Sequence, residues 1–278
     1  MCRLYGLRAN EATKVECTLV RAQNALLLQS RGDLRGLDHP DGWGIGVYED
    51  GTPVVERRAT AAHADLHFSV TAERVFSPTV IAHVRRATVG IPVLNNTHPF
   101  AHGAWTFAHN GTVTGFGELA GRMEREIPGD LLRYRLGSTD SELAFYWLLA
   151  RLQRAGVRGG AHDSGTAALV QVVARSVREL ASWCEAAAPA ETPKLNFLLT
   201  DGHTLVATRW NNSLSWVQRR GVHDCEICGI PHVHHHPEVP YRAVVVASEA
   251  ISHEDWQEVP NHSILFTNGS IETSIRSL

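Results

Sequence analysis

Two helix-patterned segments lie back to back between two groups of strand-patterned segments, and this order constrains the fold more than any other feature. In Ser141–Arg154, Ala144, Trp147, Leu148 and Arg151 mark the faces of an amphipathic helix. In Ala167–Glu185, the stripe Val170, Val173, Val177 and Leu180 marks a second, more apolar one. Before them, Cys2–Leu7, Trp43–Glu49, Pro53–Arg57, Thr79–Arg86 and Trp105–His109 read as strands. Asp50-Gly51 supplies a hairpin turn between the second and third of these. After them, Leu195–Leu199, Thr204–Trp210, Leu214–Arg219 and Tyr241–Ala247 read as strands again. Val15–Leu28 has near-helical spacing at Val15, Leu19, Val20 and Leu27 and is expected to be one helix. Consecutive helices between strand groups do not build a parallel β/α alternation; they argue for sheets layered between helices, in a single domain over 1–278.

The bulk properties exclude several function classes. A chain of 278 residues with 44% hydrophobic and 20% charged residues has ample material for a core. The net charge of -3 makes no electrostatic case for nucleic acid or a membrane surface. Charges at Arg3, Arg8, Glu11, Lys14, Glu16 and Arg21 leave no room for a signal-peptide core, and no run approaches the ~18 apolar residues of a membrane span. Five scattered cysteines do not form a disulfide framework, so the expected setting is cytoplasmic.

Chemistry is concentrated in a few short patterns. Removal of Met1 would leave Cys2 carrying both a thiol and a free α-amine, with ordinary pKa values of about 8.5 and 7.7–8.0. A terminal amine beside a nucleophile can serve as its base, although a Met-Cys start alone says little. In HVRRATVG (83–90), Arg85 could offer a planar two-pronged donor to a carboxylate; as a surface pair it would have no role. In FAHNGTV (107–113), Asn110-Gly111 is the strongest short hairpin signal in the chain. The same amide and the following N–H are also donors suited to a developing oxyanion. In GSTDSE (137–142), Ser138 or Thr139 would cap the helix that follows, and Asp140 could hold a substrate ammonium there.

Met1-Cys2, DGWGI (41–45), HVRRATVG, NTHPF (96–100), FAHNG and GSTDSE, in that order, resemble the class II glutamine amidotransferases. Those enzymes are N-terminal-nucleophile hydrolases. The motifs fall within 2–142, and DWQEVPNHSILF (255–266) extends the resemblance to the closing segment of the stand-alone bacterial members. The resemblance implies an α+β fold, a four-layer αββα sandwich with two antiparallel sheets between helix layers. It implies Cys2 as nucleophile with its own α-amine as base, and Asn110 and Gly111 as the oxyanion hole. Arg85 and Thr88 would serve the α-carboxylate of glutamine and Asp140 its α-ammonium, with His83 and His98 in support. Val89 stands where the family often has a polar residue, which makes that part of the pocket less polar.

The implied reaction is hydrolysis of glutamine or another γ-glutamyl amide through a thioester, with no cofactor required. A separate synthase subunit could take up the ammonia. A free-standing hydrolase of γ-glutamyl conjugates, like that of ergothioneine synthesis, and a non-enzymatic regulatory module are the alternatives. No nucleotide-binding fingerprint accompanies the motifs: Gly156–Gly160 lacks the P-loop ending. Outside this logic, DCEICGIPHVHHH (224–236) has metal-ligand chemistry, with Cys225, Cys228, His232 and His234 as candidate ligands of a structural zinc in a loop over 221–240. Cys17 and Cys184 are expected to be small core residues.

Overall fold

A computed structural model describes residues 2–160, 165–233 and 239–278. Its strands are β1 (Arg3–Lys14), β2 (Trp43–Glu49), β3 (Thr52–Arg58), β4 (Phe76–Val84), β5 (Phe100–His102), β6 (Trp105–Thr112), β7 (Lys194–Thr200), β8 (Leu205–Arg209), β9 (Ser215–Arg220), β10 (Arg242–Ala247), β11 (Gln257–Glu258), β12 (Ser263–Thr267) and β13 (Thr273–Ser277). The helices are α1 (Leu26–Arg31), α2 (Leu66–Arg74), α3 (Phe116–Arg125), α4 (Gly129–Leu132), α5 (Asp140–Arg154) and α6 (Thr166–Ala187). One sheet has the order β11-β9-β10-β1-β4-β2-β3 and the other β13-β12-β8-β7-β6-β5, and the pairings are antiparallel.

Period-two alternation along these strands sorts the side chains into three cores. Tyr5, Leu7 and Ala9 of β1, with Val80, Ala82 and Val84 of β4, pack under Leu19, Leu26 and Phe68 on the outside of the first sheet. Leu195, Phe197 and Leu199 of β7 pack under Leu148, Val173 and Val177 of α5 and α6 on the outside of the second. Between the sheets, Leu4, Ile81, Ala108, Leu198, Val244 and Val246 interdigitate. Helices, sheet, sheet, helices is the four-layer αββα arrangement expected of an α+β chain.

Glycine sets how closely these layers approach at two places. A Cβ on Gly6 of β1 would lie 2.8 Å from Leu198 Cδ2 of the facing sheet. A Cβ on Gly44 of β2 would lie 2.2 Å from the His98 carbonyl oxygen, so the second glycine of DGWGI admits the NTHPF loop.

Helices α5 and α6 and the Asp50-Gly51 hairpin stand where expected, and both turn residues have positive φ (47° and 75°). Two expectations fail. Val15–Leu28 is not one helix: β1 continues to Lys14, a single wide turn spans Cys17–Arg21, and Ala22 is extended before α1 begins. Tertiary bonds claim the groups a continuous helix would need, since Asn24 donates its N–H to Ile251 O (3.3 Å) and its amide to Ala250 O (2.7 Å). Nor is Asn110-Gly111 a hairpin turn: β6 runs straight through it and pairs with Asn196 and Leu195 of β7. The strand pairing outweighs the local turn preference, and the chain bends only after Thr112, through Gly115 at φ 68°. Helices α2 and α3 gave little sequence signal, the first being short and polar and the second carrying Gly117 and Gly121.

Gly44→Ala should therefore destabilise the fold by about 1–3 kcal/mol through overpacking against a backbone carbonyl, read as a lowered urea midpoint. An unchanged midpoint would show that the NTHPF loop shifts freely.

Candidate active site

Register and alternation bring the candidate residues into one cleft. In the β1–β4 ladder Leu4 faces His83 and Arg3 faces Val84, so the next pair outward sets Cys2 against Arg85. Cys2 shares the strand face of Leu4, Arg85 that of Ile81, and Asn110 that of Ala108, and all three reference residues lie in the core between the sheets. Nucleophile candidate, arginine and amide therefore open into the same inter-sheet space at one end of the sandwich.

The Cys2 thiol donates to Arg86 O at 3.4 Å, and Arg86 N–H donates to the sulfur at the same distance. Burial pushes the thiol above its ordinary value, against the Arg86 N–H and the Arg85 charge, which pull it down, while Asp140 pushes it up. The sulfur thus responds to both candidate substrate-binding residues, and it is held as a thiol. Behind it, buried Arg3 donates to Cys2 O at 2.9 Å and pairs with Asp33 and, at 2.9 Å, with Glu249. Burial alone would raise the Asp33 carboxyl, but the N–H groups of Leu37 and Arg35 and the Arg3 charge hold it below its ordinary value. The start of β1 is anchored by an ion-paired arginine that no motif announced.

Arg85 is buried, and its terminal nitrogens meet carbonyls of Val89 (2.9 Å), Gly90 (3.1 Å), Ile91 (3.3 Å) and Asp41 (3.5 Å). As it stands, the guanidinium organises the loop over 87–91, and a carboxylate arriving there would exchange places with some of these oxygens. DGWGI holds that loop from the other side: Asp41 Oδ2 accepts from Ala87 N (2.7 Å) and Gly42 O from Arg85 N (2.7 Å). Thr88 is exposed, with its hydroxyl 3.1 Å from that of Thr112.

Asn110 is fully buried, donates its amide to Ser248 Oγ (3.0 Å) and accepts from Asn212 through its backbone (2.8 Å) and side-chain (3.3 Å) oxygens. Ser248 Oγ also accepts from Leu4 N at 3.0 Å, which ties the amide to β1. The Gly111 N–H follows from the ladder. Its partner Leu195 turns its own N–H and C=O toward β8, to Trp210 O (3.0 Å) and Thr208 Oγ1 (2.8 Å). Gly111–Leu195 is then a non-hydrogen-bonded pair, and the Gly111 N–H points away from β7. On that side β5 ends opposite Phe107, so no strand among the described residues pairs with Gly111 there. A side chain at 111 is barred, because its Cβ would lie 1.7 Å from Lys194 O.

Asp140 opens α5, with Thr139 as cap accepting from Glu142 N at 3.1 Å. One Asp140 oxygen accepts from Val113 N (2.8 Å) and the other from Ser141 N (2.8 Å). His109 Nε2 lies 2.9 Å from Lys194 O and must donate, while Nδ1 lies 2.9 Å from the Ser141 hydroxyl, which itself donates to Asp140 Oδ1 at 3.2 Å. His83 donates to His109 O at 3.2 Å, and its ring stacks on His98 at 4.2 Å between centroids. Burial pushes His83 down to about 3, His98 well below the usual range and His109 down as well, with Asp140 opposing the last.

These motifs in this geometry accompany a family match over residues 1–277, to the model described as "Glutamine amidotransferases class-II". The chain belongs to that family. It is 31% identical over 294 residues to the probable glutamine amidotransferase DUG3 of Saccharomyces cerevisiae, covering 95% of this chain and 81% of that one. It is 28% identical to the gamma-glutamyl-hercynylcysteine sulfoxide hydrolase of Mycobacterium tuberculosis strain CDC 1551 / Oshkosh, covering 79% and 81%. A predicted glutamine amidotransferase from Pseudomonas aeruginosa, solved at 2.0 Å, superposes with a TM-score of 0.63 at 26% identity over 98% of this chain and 99% of that one.

For this class II amidotransferase the structure thus brings Cys2, Arg85, Asn110, Gly111 and Asp140 toward one end of the inter-sheet space, with Thr88 exposed beside Thr112. Sequence reading missed Arg3, Asp33, Ser248, Asn212 and Glu249, which hold the motif residues in place and sit in unremarkable local sequence. The metal-loop candidates lie elsewhere. Cys225, Cys228 and His232 cluster at the far end of β1, and His234 falls outside the described residues. Cys17 is buried as expected, but it faces this cluster.

The neutral histidines make stability pH-dependent. The unfolded chain protonates His83 near about 6.5 and the folded chain only near about 3. Between those values the unfolded state holds more protons, so stability falls as pH falls. His83 alone should remove about 2 kcal/mol between pH 7 and pH 5, read from urea midpoints at the two pH values. His83→Gln should flatten that slope, and equal wild-type midpoints would mean that the buried rings accept charge.

Proposed function

We propose that this amidotransferase hydrolyses glutamine or a related γ-glutamyl amide through a Cys2 thioester, after Met1 is removed. What supports the reading most is one pairing: a buried thiol opens into the same cleft as a fixed Asn110 amide and an unengaged Gly111 N–H. Because burial holds Cys2 as a thiol, attack needs a base to take its proton, and the freed α-amine, with an ordinary pKa of about 7.7–8.0, suits that role. The sulfur forms a bond to the γ-carbonyl carbon while the amine takes the thiol proton. Asn110 and Gly111 donate to the resulting oxyanion. Collapse expels ammonia or an amine, which carries that proton away, and water then cleaves the thioester to release glutamate. Arg85 and Thr88 receive the α-carboxylate, and Asp140, already poised at the start of α5, receives the α-ammonium. The reaction so written uses no metal, and the zinc assigned to the Cys/His cluster is structural.

The leaving amine separates two versions of this function. A glutaminase subunit would deliver ammonia to a separate synthase, whereas a free-standing hydrolase would release a larger amine from a γ-glutamyl conjugate. The similarity to gamma-glutamyl-hercynylcysteine sulfoxide hydrolase favours considering the second. Both suit a cytoplasmic protein acting on small molecules.

The test is glutamate release by the purified protein alone, on glutamine and a panel of γ-glutamyl amides. Cys2→Ala should abolish turnover; residual hydrolysis at wild-type rate would end the thioester mechanism. Asn110→Ala should lower kcat about 10²–10³-fold, and Asp140→Asn should act chiefly through a raised KM. Strong turnover of a conjugate without a partner supports the hydrolase, and activity confined to a complex with a synthase supports the subunit.

A further inference from the structure

We propose that Cys17, Cys225, Cys228 and His232 bind one zinc ion that clips the β9–β10 excursion to the end of β1. The ligand atoms of these four residues all lie within 4.8 Å of one another. Zinc–sulfur bonds of about 2.3 Å and zinc–nitrogen bonds of about 2.0–2.1 Å in a tetrahedron require ligand separations of about 3.4–3.8 Å. Cys228 Sγ already stands 3.3 Å from His232 Nε2. Three thiolates and one imidazole form a closed set that leaves no position for water or substrate, which is the composition of a structural zinc site.

The backbone shapes this site without the ion. Across Cys225–Cys228 the Ile227 N–H points at Cys225 Sγ (3.4 Å), Gly229 N donates to Cys225 O (2.8 Å) and Cys225 N to Ile230 O (3.1 Å). Gly229 takes a positive φ of 73°, which lets the chain turn back immediately after the second thiol. His232 is fixed separately: its carbonyl accepts from Lys14 N at 2.8 Å, and its neighbour Val233 bridges Thr13. Cys17 comes from the wide turn that follows β1. Two segments remote in sequence, residue 17 and residues 225–232, thus converge on one point. All five cysteines are free in the structure, so no disulfide competes for these thiols.

Position decides the role. Residues 221 to 241 connect two adjacent strands, and none of the described residues among them lies in a helix or a named strand; such long connections are seldom left unsupported inside a compact fold. A metal supplies the closure that the small local core does not. Cys2 and Cys17 flank opposite ends of the twelve-residue β1, whose ladder with β4 runs from Val84 to Phe76, about 26 Å at the rise of an extended strand. The site therefore supports the scaffold and takes no part in the reaction, so the proposal stands or falls independently of the amidohydrolase reading.

The experiment is metal analysis of the full chain purified without chelators, by native mass spectrometry and elemental analysis. One zinc per chain is expected, and its removal should release a stable 221–241 segment to limited proteolysis. Replacing the ion with Co²⁺ should give the visible bands of a tetrahedral centre and ultraviolet thiolate bands. Cys17→Ser and Cys225→Ser should each reduce zinc retained after dialysis to near zero, while a triple His234→Ala, His235→Ala, His236→Ala variant keeps one zinc. The cobalt spectrum of the wild-type chain gives the ligand set even if Cys17→Ser fails to fold. A zinc-free chain that ignores added Zn²⁺, a Cys225–Cys228 disulfide, or full zinc retention by folded Cys17→Ser would each overturn the proposal.

Discussion

The ladder between β1 and β4 is the constraint on which the site depends. Its register sets the residue before Arg3 against Arg85, and its pleat turns both toward the space between the sheets. A slip of one residue would send Cys2 to the outer core and put Arg3 in the cleft. Buried ionic bonds guard against that slip, since Arg3 finds Asp33 and Glu249 only when it lies on the outer side of its strand. Leu4 adds a second lock by exchanging hydrogen bonds with Ser248 at the end of β10.

A polar cleft in the middle of a sandwich is expensive to desolvate, and the fold limits that expense by keeping its imidazoles neutral. His83, His98 and His109 form a buried group in which His83 and His98 stack, and His83 and His109 each donate to a backbone carbonyl. With those charges absent, the side-chain charges that act on the sulfur include Arg85 and Asp140. Opposite signs placed apart suit a zwitterionic amino acid, whose own charges complement them. The two ends of β1 carry different chemistry for the same reason: a central strand is the most rigidly held element available, and it can present the candidate nucleophile at one end and anchor a loop at the other.

Much of the candidate site was legible before the fold was known, because its residues sit in compact motifs whose internal spacing suggests their chemistry. Thr139 and Asp140 behave as a helix start should, and Asp50-Gly51 as a hairpin should. Asn110-Gly111 misled as a structural signal for a physical reason: its turn preference is local and modest, and pairing with β7 overrides it. The glycine is needed because Lys194 O comes too close for any side chain, a long-range contact invisible to a short window. Val15–Leu28 misled in the same way, since helical spacing says nothing of the carbonyls of Ala250 and Ile251 that capture Asn24.

By itself the sequence determined the layered α+β class, the family motifs and the candidates for the reacting groups, because periodicity and side-chain chemistry are local properties. Only the tertiary structure decided which strands are neighbours, and therefore that Ser248 and Asn212 hold the Asn110 amide and that no strand among the described residues pairs with Gly111 on the side its N–H faces. It also decided that Cys17 joins Cys225 and Cys228, some two hundred residues away. Such pairings depend on sheet order and register, which arise from summed packing over the whole chain and leave no mark at any one position.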